Sequence, residues 1–309
     1  MEIKRIAIVG MGAVGLLLAD YLTKALGDDA VRFVADSDRA SRYERDGVFV
    51  NGEKRRFSVT QDWKNPADLV IFAVKAPRLE EAIALAADWV GTDTILLSVL
   101  NGVTSEEALI AAFGQDKVIY TVAQGMDAAK EGNRMTYRMP GELRIGLTQE
   151  QYGMEEKLEA VRVLLETAQF PYVVEEDILH RMWSKFMLNV GVNQVCMVFE
   201  TNYGGVQAPG EARDTMIAAM DEARKMAACA GQLITRKELD DYVALVDSLT
   251  PEGMPSMRQD ALAKRKSEVE LFSGTVLRMA KDFGMRAPVN RKLYDRIQAL
   301  EAAYEKTAL

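Results

Sequence analysis

Apolar and polar positions follow two rhythms along the chain, and they change over near residue 175. Before that point, short β-branched runs alternate with segments of helical length: RIAIV (5–9), VRFVA (31–35), DLVIFAV (68–74), TILLSV (94–99) and KVIYTV (117–122) read as strands. Such alternation predicts a parallel sheet covered by helices. VFVNGEKRRFSV (48–59) sets Asn51-Gly52 between apolar alternations and predicts a hairpin. A second β-rich patch follows at 134–147, and the helix EEKLEAVRVLLETA and strand YVVEE close this half. From about residue 177 the pattern is one of long helices with almost no strand signal. The predicted fold class is α/β: a doubly wound sheet domain over 1–174, followed by an all-helical domain over 175–309.

The helical half opens on a helix containing WSKFMLNVGVN, Trp183 to Asn193. Next come EARDTMIAAMDEARKMAACAG and ITRKELDDYVALVDSL, the latter starting at a Thr235-to-Glu238 capping box. SMRQDALAKRKSEVELFSGTVLRMAKDFG reads as one further helical segment, and a last helix begins near Asn290. In the first helix Lys185, Asn189 and Asn193 stand four apart. At about 100° per residue they drift only about 40° per step, so they form one slanting stripe that Arg181 extends. The other faces carry Phe186, Met187, Leu188, Val190, Val192, Val195 and Met197, and a helix apolar nearly all round is a buried one. Two readings stand on spacing alone. Lys185 reaches the surface along its stem while the asparagines cap loops, or it is a partly buried ammonium with its pKa lowered toward proton transfer.

Length and charge narrow the classes. The 309 residues suit about two domains. Forty-six acidic against 38 basic residues leave a net charge of −8, which argues against a nucleic-acid partner. Two cysteines, Cys196 and Cys229, supply neither a disulfide framework nor a cysteine-rich metal site, as expected in a reducing cytoplasm. The start MEIKRIAIVGMG carries no long apolar region with a cleavage site, and no 18-residue apolar run follows, so a cytoplasmic protein without a membrane span is expected. His180, the single histidine, reads as structural, and no metal site is expected.

IAIVGMGAVGLLLADYL carries Gly10, Gly12 and Gly15 as GxGxxG after a strand and opening a helix, the context of a dinucleotide site. Gly10 permits a tight turn, Gly12 admits the pyrophosphate, and Gly15 lets the helix pack on the sheet with its positive end toward phosphate, beside Ala13 and Val14. Cofactor type is read some 20 residues on, at VADSDRASR. Asp36 there would bond the ribose hydroxyls and favour NAD, whereas Arg39 or Arg42 would hold a 2′-phosphate and favour NADP. Lys75 in AVKAP and Asn101 with Gly102 in SVLNGV follow two further strands, where α/β sheets bind ligands. By residue chemistry alone, Glu268 beside Lys264, Arg265 and Lys266 reads as a solvated ion-pair partner, and Ser256 with Gln259 as a capping box.

Taken together, GMGAVG, VKA (74–76), LNGV (100–103), MWSKFMLNVGVN, SMRQD with Glu268 twelve residues after its serine, and APVNRKLYDRI resemble the ketopantoate reductase family (2-dehydropantoate 2-reductase) over nearly the whole length. The resemblance implies a Rossmann domain, a helical domain, a cleft between them, and reduction of ketopantoate to pantoate by hydride from NADPH. It implies Lys185 as the general acid, Asn189 and Asn193 as substrate and lysine-orienting contacts, and Lys75 and Asn101 as cofactor-positioning residues, Asn101 also facing substrate. Ser256 and Glu268 would meet the substrate. Family members that use NADPH carry an arginine near the end of the second strand, where this chain has Ala35 and Asp36, so NAD stays open with Arg39 as a substitute. A straight helix would separate Ser256 from Glu268 by roughly 18 Å, so a break is required if both meet one substrate. The rival expectations are a paralogue acting on another small 2-keto acid or an imine, and a dinucleotide sensor without chemistry. The apolar helical half is compatible with a homodimer.

Overall fold

The computed structural model describes residues 1–35, 41, 43, 45–60 and 65–307. These form two compact units, Met1–Leu179 and His180–Leu309.

In the first unit the strands are β1 (Ile6–Val9), β2 (Val31–Val34), β3 (Val48–Val50), β4 (Glu53–Arg55), β5 (Ser58–Thr60), β6 (Ala67–Phe72), β7 (Val90–Ser98), β8 (Val118–Gln124), β9 (Ala129–Glu131), β10 (Arg134–Thr136), β11 (Glu142–Gly146) and β12 (Tyr172–Val174). Eight make one sheet in the order β12-β11-β8-β7-β6-β1-β2-β5. All its pairings are parallel except β11 with β8. β1 is buried throughout, and its alternate residues feed two cores. Ile6 and Ile8 join a cluster with Leu16, Leu17 and Leu22 of α1 (Ala13–Leu26) and Leu164 and Leu165 of a later helix. Ala7 and Val9 join the other, with Ala82 and Ala86 of α2 (Leu79–Ala86) and Leu109 of α3 (Ser105–Phe113). The later helix is α4 (Glu155–Thr167). Helices therefore cover both faces, the doubly wound arrangement that the alternating pattern predicts.

The hairpin at Asn51-Gly52 forms with both residues at positive φ, 48° and 87°, as its turn chemistry requires. It is shorter than predicted. β3 and β4 belong to a second sheet, ordered β4-β3-β10-β9, whereas residues 58–60 leave it as β5 and pair with β2 in the large sheet.

The second unit contains α5 (Ile178–Val198, whose first two residues belong to the first unit), α6 (Tyr203–Gln207), α7 (Glu211–Cys229), α8 (Arg236–Ser248), α9 (Ser256–Leu262), α10 (Thr275–Asp282) and α11 (Pro288–Thr307). α8 begins with the predicted capping box. Its Glu238 also lies 2.6 Å from His180 Nε2, giving that histidine a structural hydrogen bond. α5 crosses α7 at Gly191, where a Cβ would lie 2.4 Å from Met220 Cγ and 2.9 Å from the Met216 carbonyl oxygen. The predicted single helix from Ser256 is corrected by the structure. It stops at Leu262, the chain turns through Lys264 at φ 50°, and the amide of Arg265 donates back to Asp260 O at 2.9 Å. Helix resumes as a π-helix, Glu270–Gly274, running into α10. Among the described residues no helix is long and apolar enough to cross a membrane.

Candidate functional site

The first unit gathers three predicted segments at one sheet edge. Register sets Val9 beside Phe72 and Phe72 beside Ser98, so the chain leaves β1, β6 and β7 at neighbouring points. The amide of Ala73 donates to Val9 O at 2.8 Å, and that of Val99 to Phe72 O at 3.0 Å. Since β1 has β2 on one side and β6 on the other, this edge is where strand order reverses, the place such sheets bind ligands. It presents Gly10 to Gly15 after β1, Lys75 after β6, and Asn101 with Gly102 after β7. Lys75 is exposed and begins a short turn, Ala76–Arg78; Asn101 is half-buried.

The three glycines have separate reasons to be glycine. Gly10 sits at φ 115°, and a Cβ there would lie 2.5 Å from Ala73 O. At Gly15 a Cβ would lie 2.1 Å from Gly10 O, which fixes how closely α1 approaches its strand. Gly12 is exposed at φ −75°, and its Cβ would meet nothing nearer than Ala73 O at 3.6 Å. The protein's own packing thus leaves room at Gly12, on the exposed side of the turn. No side chain caps α1 there and its first turn holds no acidic residue, so amides and dipole are presented to an anion. The donors fit a dinucleotide pyrophosphate. Asp36 and Arg39, with Arg42, lie outside the described residues.

In the second unit, the polar stripe of α5 is tied down at both ends. Arg181 donates to Tyr242 Oη on α8 at 2.9 Å. Asn193, 5% exposed, accepts at Oδ1 from Ser256 Oγ at 3.0 Å and from the Met257 amide at 3.2 Å, and its Nδ2 donates to Asn189 Oδ1 at 3.2 Å. Lys185 and Asn189 lie between these ends, both half-buried. Ser256 is accordingly corrected: it is the first residue of α9 behind Pro255, and its hydroxyl serves Asn193 rather than closing a capping box with Gln259. Glu268 is buried rather than solvated, and its carbonyl accepts from the amides of Leu271 and Phe272 as the π-helix begins. Phe272 approaches Phe186, next to Lys185, with ring centroids 6.3 Å apart. The break after Leu262 supplies the interruption that a shared role for Ser256 and Glu268 requires.

Two arrangements had no clear sequence signal. Gln194, Ser273, Asn290 and Glu222 form a buried polar cluster: Gln194 Oε1 accepts the Ser273 amide, Asn290 Oδ1 accepts Ser273 Oγ, and Glu222 accepts the amides of Val289 and Asn290 at the start of α11. It anchors the π-helix against α5, one residue from Asn193. The other is Glu106, buried in the first turn of α3. Among the described residues no cluster of His, Cys, Asp and Glu could hold a metal ion.

Comparison with known proteins identifies the family and agrees with the fold. Residues 6–150 match the family model for ketopantoate reductase PanE/ApbA, and residues 177–301 that for its C-terminal domain. The chain is 26% identical to the 2-dehydropantoate 2-reductase of Aquifex aeolicus, over 97% of both chains. In three dimensions it is similar to the ternary complex of D-mandelate dehydrogenase with NADH and anilino(oxo)acetate (TM-score 0.86, 20% identity, 97% of this chain and 99% of that one). It is similar also to the dimeric ketopantoate reductase of Staphylococcus aureus (TM-score 0.81, 21% identity, 97% and 99%). Having a dinucleotide-binding Rossmann-type sheet, a helical unit and both family matches, the chain belongs to the ketopantoate reductase family of oxidoreductases.

Proposed function

We propose that the protein reduces ketopantoate to pantoate with NADPH, and that Lys185 delivers the proton. The observation that carries this is the α5 stripe, in which a half-buried lysine and Asn189 follow one another beside Asn193 and Ser256. Reduction of a carbonyl to an alcohol needs hydride at carbon and a proton at oxygen. A nicotinamide cofactor, when bound, would supply the hydride. Gly10, Gly12, Ala13, Val14 and Gly15 would hold the pyrophosphate, and Lys75 and Asn101 would orient the cofactor, Asn101 also meeting substrate. The Lys185 ammonium polarises the carbonyl oxygen and then gives it a proton. Asn189, its Oδ1 held by Asn193, turns its amide donors to the substrate. Ser256 and Glu268 complete the contacts, the carboxylate accepting from a substrate hydroxyl. A homodimer, the state of the Staphylococcus aureus enzyme, belongs to this reading.

Asp36 favours a second reading, an NADH-dependent reductase of another small 2-keto acid, because a carboxylate there repels a 2′-phosphate. One spectrophotometric experiment separates them: oxidation of NADPH and of NADH with ketopantoate and a panel of related keto acids. Preference for ketopantoate with NADPH supports the proposal. Much faster turnover of another keto acid supports the second reading, and dinucleotide binding without turnover of any would sink both. Lys185→Ala should lower kcat by on the order of 10²-fold or more, and a near wild-type rate would remove Lys185 from the proton step.

A further inference from the structure

The loop between β7 and α3 carries Asn101 and Gly102, and its ends are tied by side chains. Ser98 Oγ, at the end of β7, donates to Ser105 Oγ, the first residue of α3, at 2.8 Å. Ser105 Oγ donates in turn to Glu106 Oε2 at 2.8 Å, and the Leu100 amide donates to Ser98 Oγ at 3.3 Å. All three side chains are buried, Ser98 at 0%, Ser105 at 3% and Glu106 at 1% exposure. A run of hydroxyls donating in one direction must end on an acceptor, and Glu106 is that acceptor. Among the described residues, no donor meets its other oxygen, Oε1, in hydrogen-bonding geometry.

We propose that Glu106 is a positioning residue for Asn101, closing the base of the Asn101 loop through Ser105 and Ser98 and releasing it when its carboxyl ionises. This rests on the reading that Asn101 meets the dinucleotide.

The physical case lies in the two ends of the chain of hydroxyls. The body of α3 and the strand beside it are fixed, since Leu109 and Ile119 are wholly buried. A charge on Glu106, only 1% exposed, is costly there, and a movement that opens the carboxyl to solvent relieves it. We place that relief at the loop base, which side-chain hydrogen bonds tie together. The surroundings set the pH. Burial pushes the Glu106 carboxyl up to about 7, against the Ser105 hydroxyl and the Glu106 and Thr121 amides, while Glu107 raises it further. On β8, Tyr120 is itself pushed up to about 12 by burial and by Glu106, Glu107 and Glu150. Of the other elements on α3, β7 carries the exposed Asp93, α2 the exposed Glu80 and Glu81, and the turn Gln115–Lys117 the ion pair of Asp116 with Lys117.

The test is NADPH binding to the full chain, followed by nucleotide fluorescence from about pH 5.5 to about pH 8.5. Glu106→Gln keeps an acceptor oxygen and cannot ionise. Titration of the 2′-phosphate is common to both proteins, so the ratio of wild-type Kd to Glu106→Gln Kd isolates the loop. That ratio should be near one at the acid end and rise about tenfold with a midpoint near pH 7, a mid-range coupling between two sites. Ser98→Ala, which cuts the relay without touching the carboxyl, should weaken binding several-fold at every pH. A flat ratio, or Ser98→Ala binding like wild type, overturns the proposal. Asn101→Ala distinguishes its foundation: undiminished binding there removes Asn101 from the cofactor site and the proposal with it, whereas weakened binding with a flat ratio removes the proposal alone.

Discussion

At the scale of single residues, the three glycines of the first turn differ in what an added side chain would meet. An added methyl at Gly15 would lie 2.1 Å from a backbone oxygen, and α1 would have to move away from its strand. At Gly12 it would touch nothing closer than 3.6 Å. Gly12→Ala should therefore melt within about 0.5 kcal/mol of wild type, as surface substitutions do, yet bind NADPH at least about tenfold more weakly, or about 1.4 kcal/mol. Gly15→Ala should lose about 1–3 kcal/mol of stability through overcrowding. Thermal melting beside a nucleotide titration reads both, and unimpaired binding by Gly12→Ala would place the dinucleotide away from this turn. The motif was legible in the sequence, but the division of labour within it was not, because it depends on how near Ala73 comes. Glu106 was hidden for a related reason. Two acidic residues in a helix's first turn are ordinary complements of its dipole, and nothing in SEEAL separates the buried Glu106 from the exposed Glu107.

At the scale of elements, α5 shows what periodicity reveals and what it omits. Its apolar faces and polar stripe were readable from spacing, as were the central strands, since strands buried on both faces read as unbroken apolar runs. Gly191 passed unnoticed because a helical glycine has no signature until its neighbour is known. Here that neighbour is α7, whose Met216 oxygen would lie 2.9 Å from a new Cβ. Gly191→Ala should cost about 1–3 kcal/mol and lower kcat by displacing the helix that carries Lys185; a wild-type melt would show that the two helices separate freely. The other misreadings share a cause. Residues 48–60 alternate equally well as one hairpin or as strands of two sheets, and the choice is made by β10 and β2, remote in sequence. The break before Glu268 passes through a lysine at positive φ, where no glycine announces a turn.

At the scale of the whole molecule, these groups act together through the pH dependence of stability. Several carboxylates are poised to stabilise the fold above acid pH. Asp68, which burial raises, is brought below the usual range by Arg5 and by the amides of Lys4 and Arg5, and Asp247 by Arg213. Their contributions are lost only as pH falls below about 4, so above about pH 5 they are constant. Glu106 has the opposite sign. Its folded carboxyl titrates near 7 against an ordinary value of 4.5, so between these limits the folded chain binds the extra proton. Stability should fall as pH rises through that window and level off above it. At about 1.4 kcal/mol per pH unit, the rise amounts to about 3 kcal/mol, an upper figure for a site that water can enter once the loop moves. Glu106→Gln removes the charge and keeps the shape. It should melt with wild type near pH 5 and several degrees above it near pH 8, at roughly 2–4 °C per kcal/mol for a unit of this size. Calorimetry of the two proteins at both pH values measures the difference with every other titration held in common. Equal melting temperatures at pH 8 would mean that the carboxyl ionises in the folded chain at little cost, and would remove the force that opens the Asn101 loop.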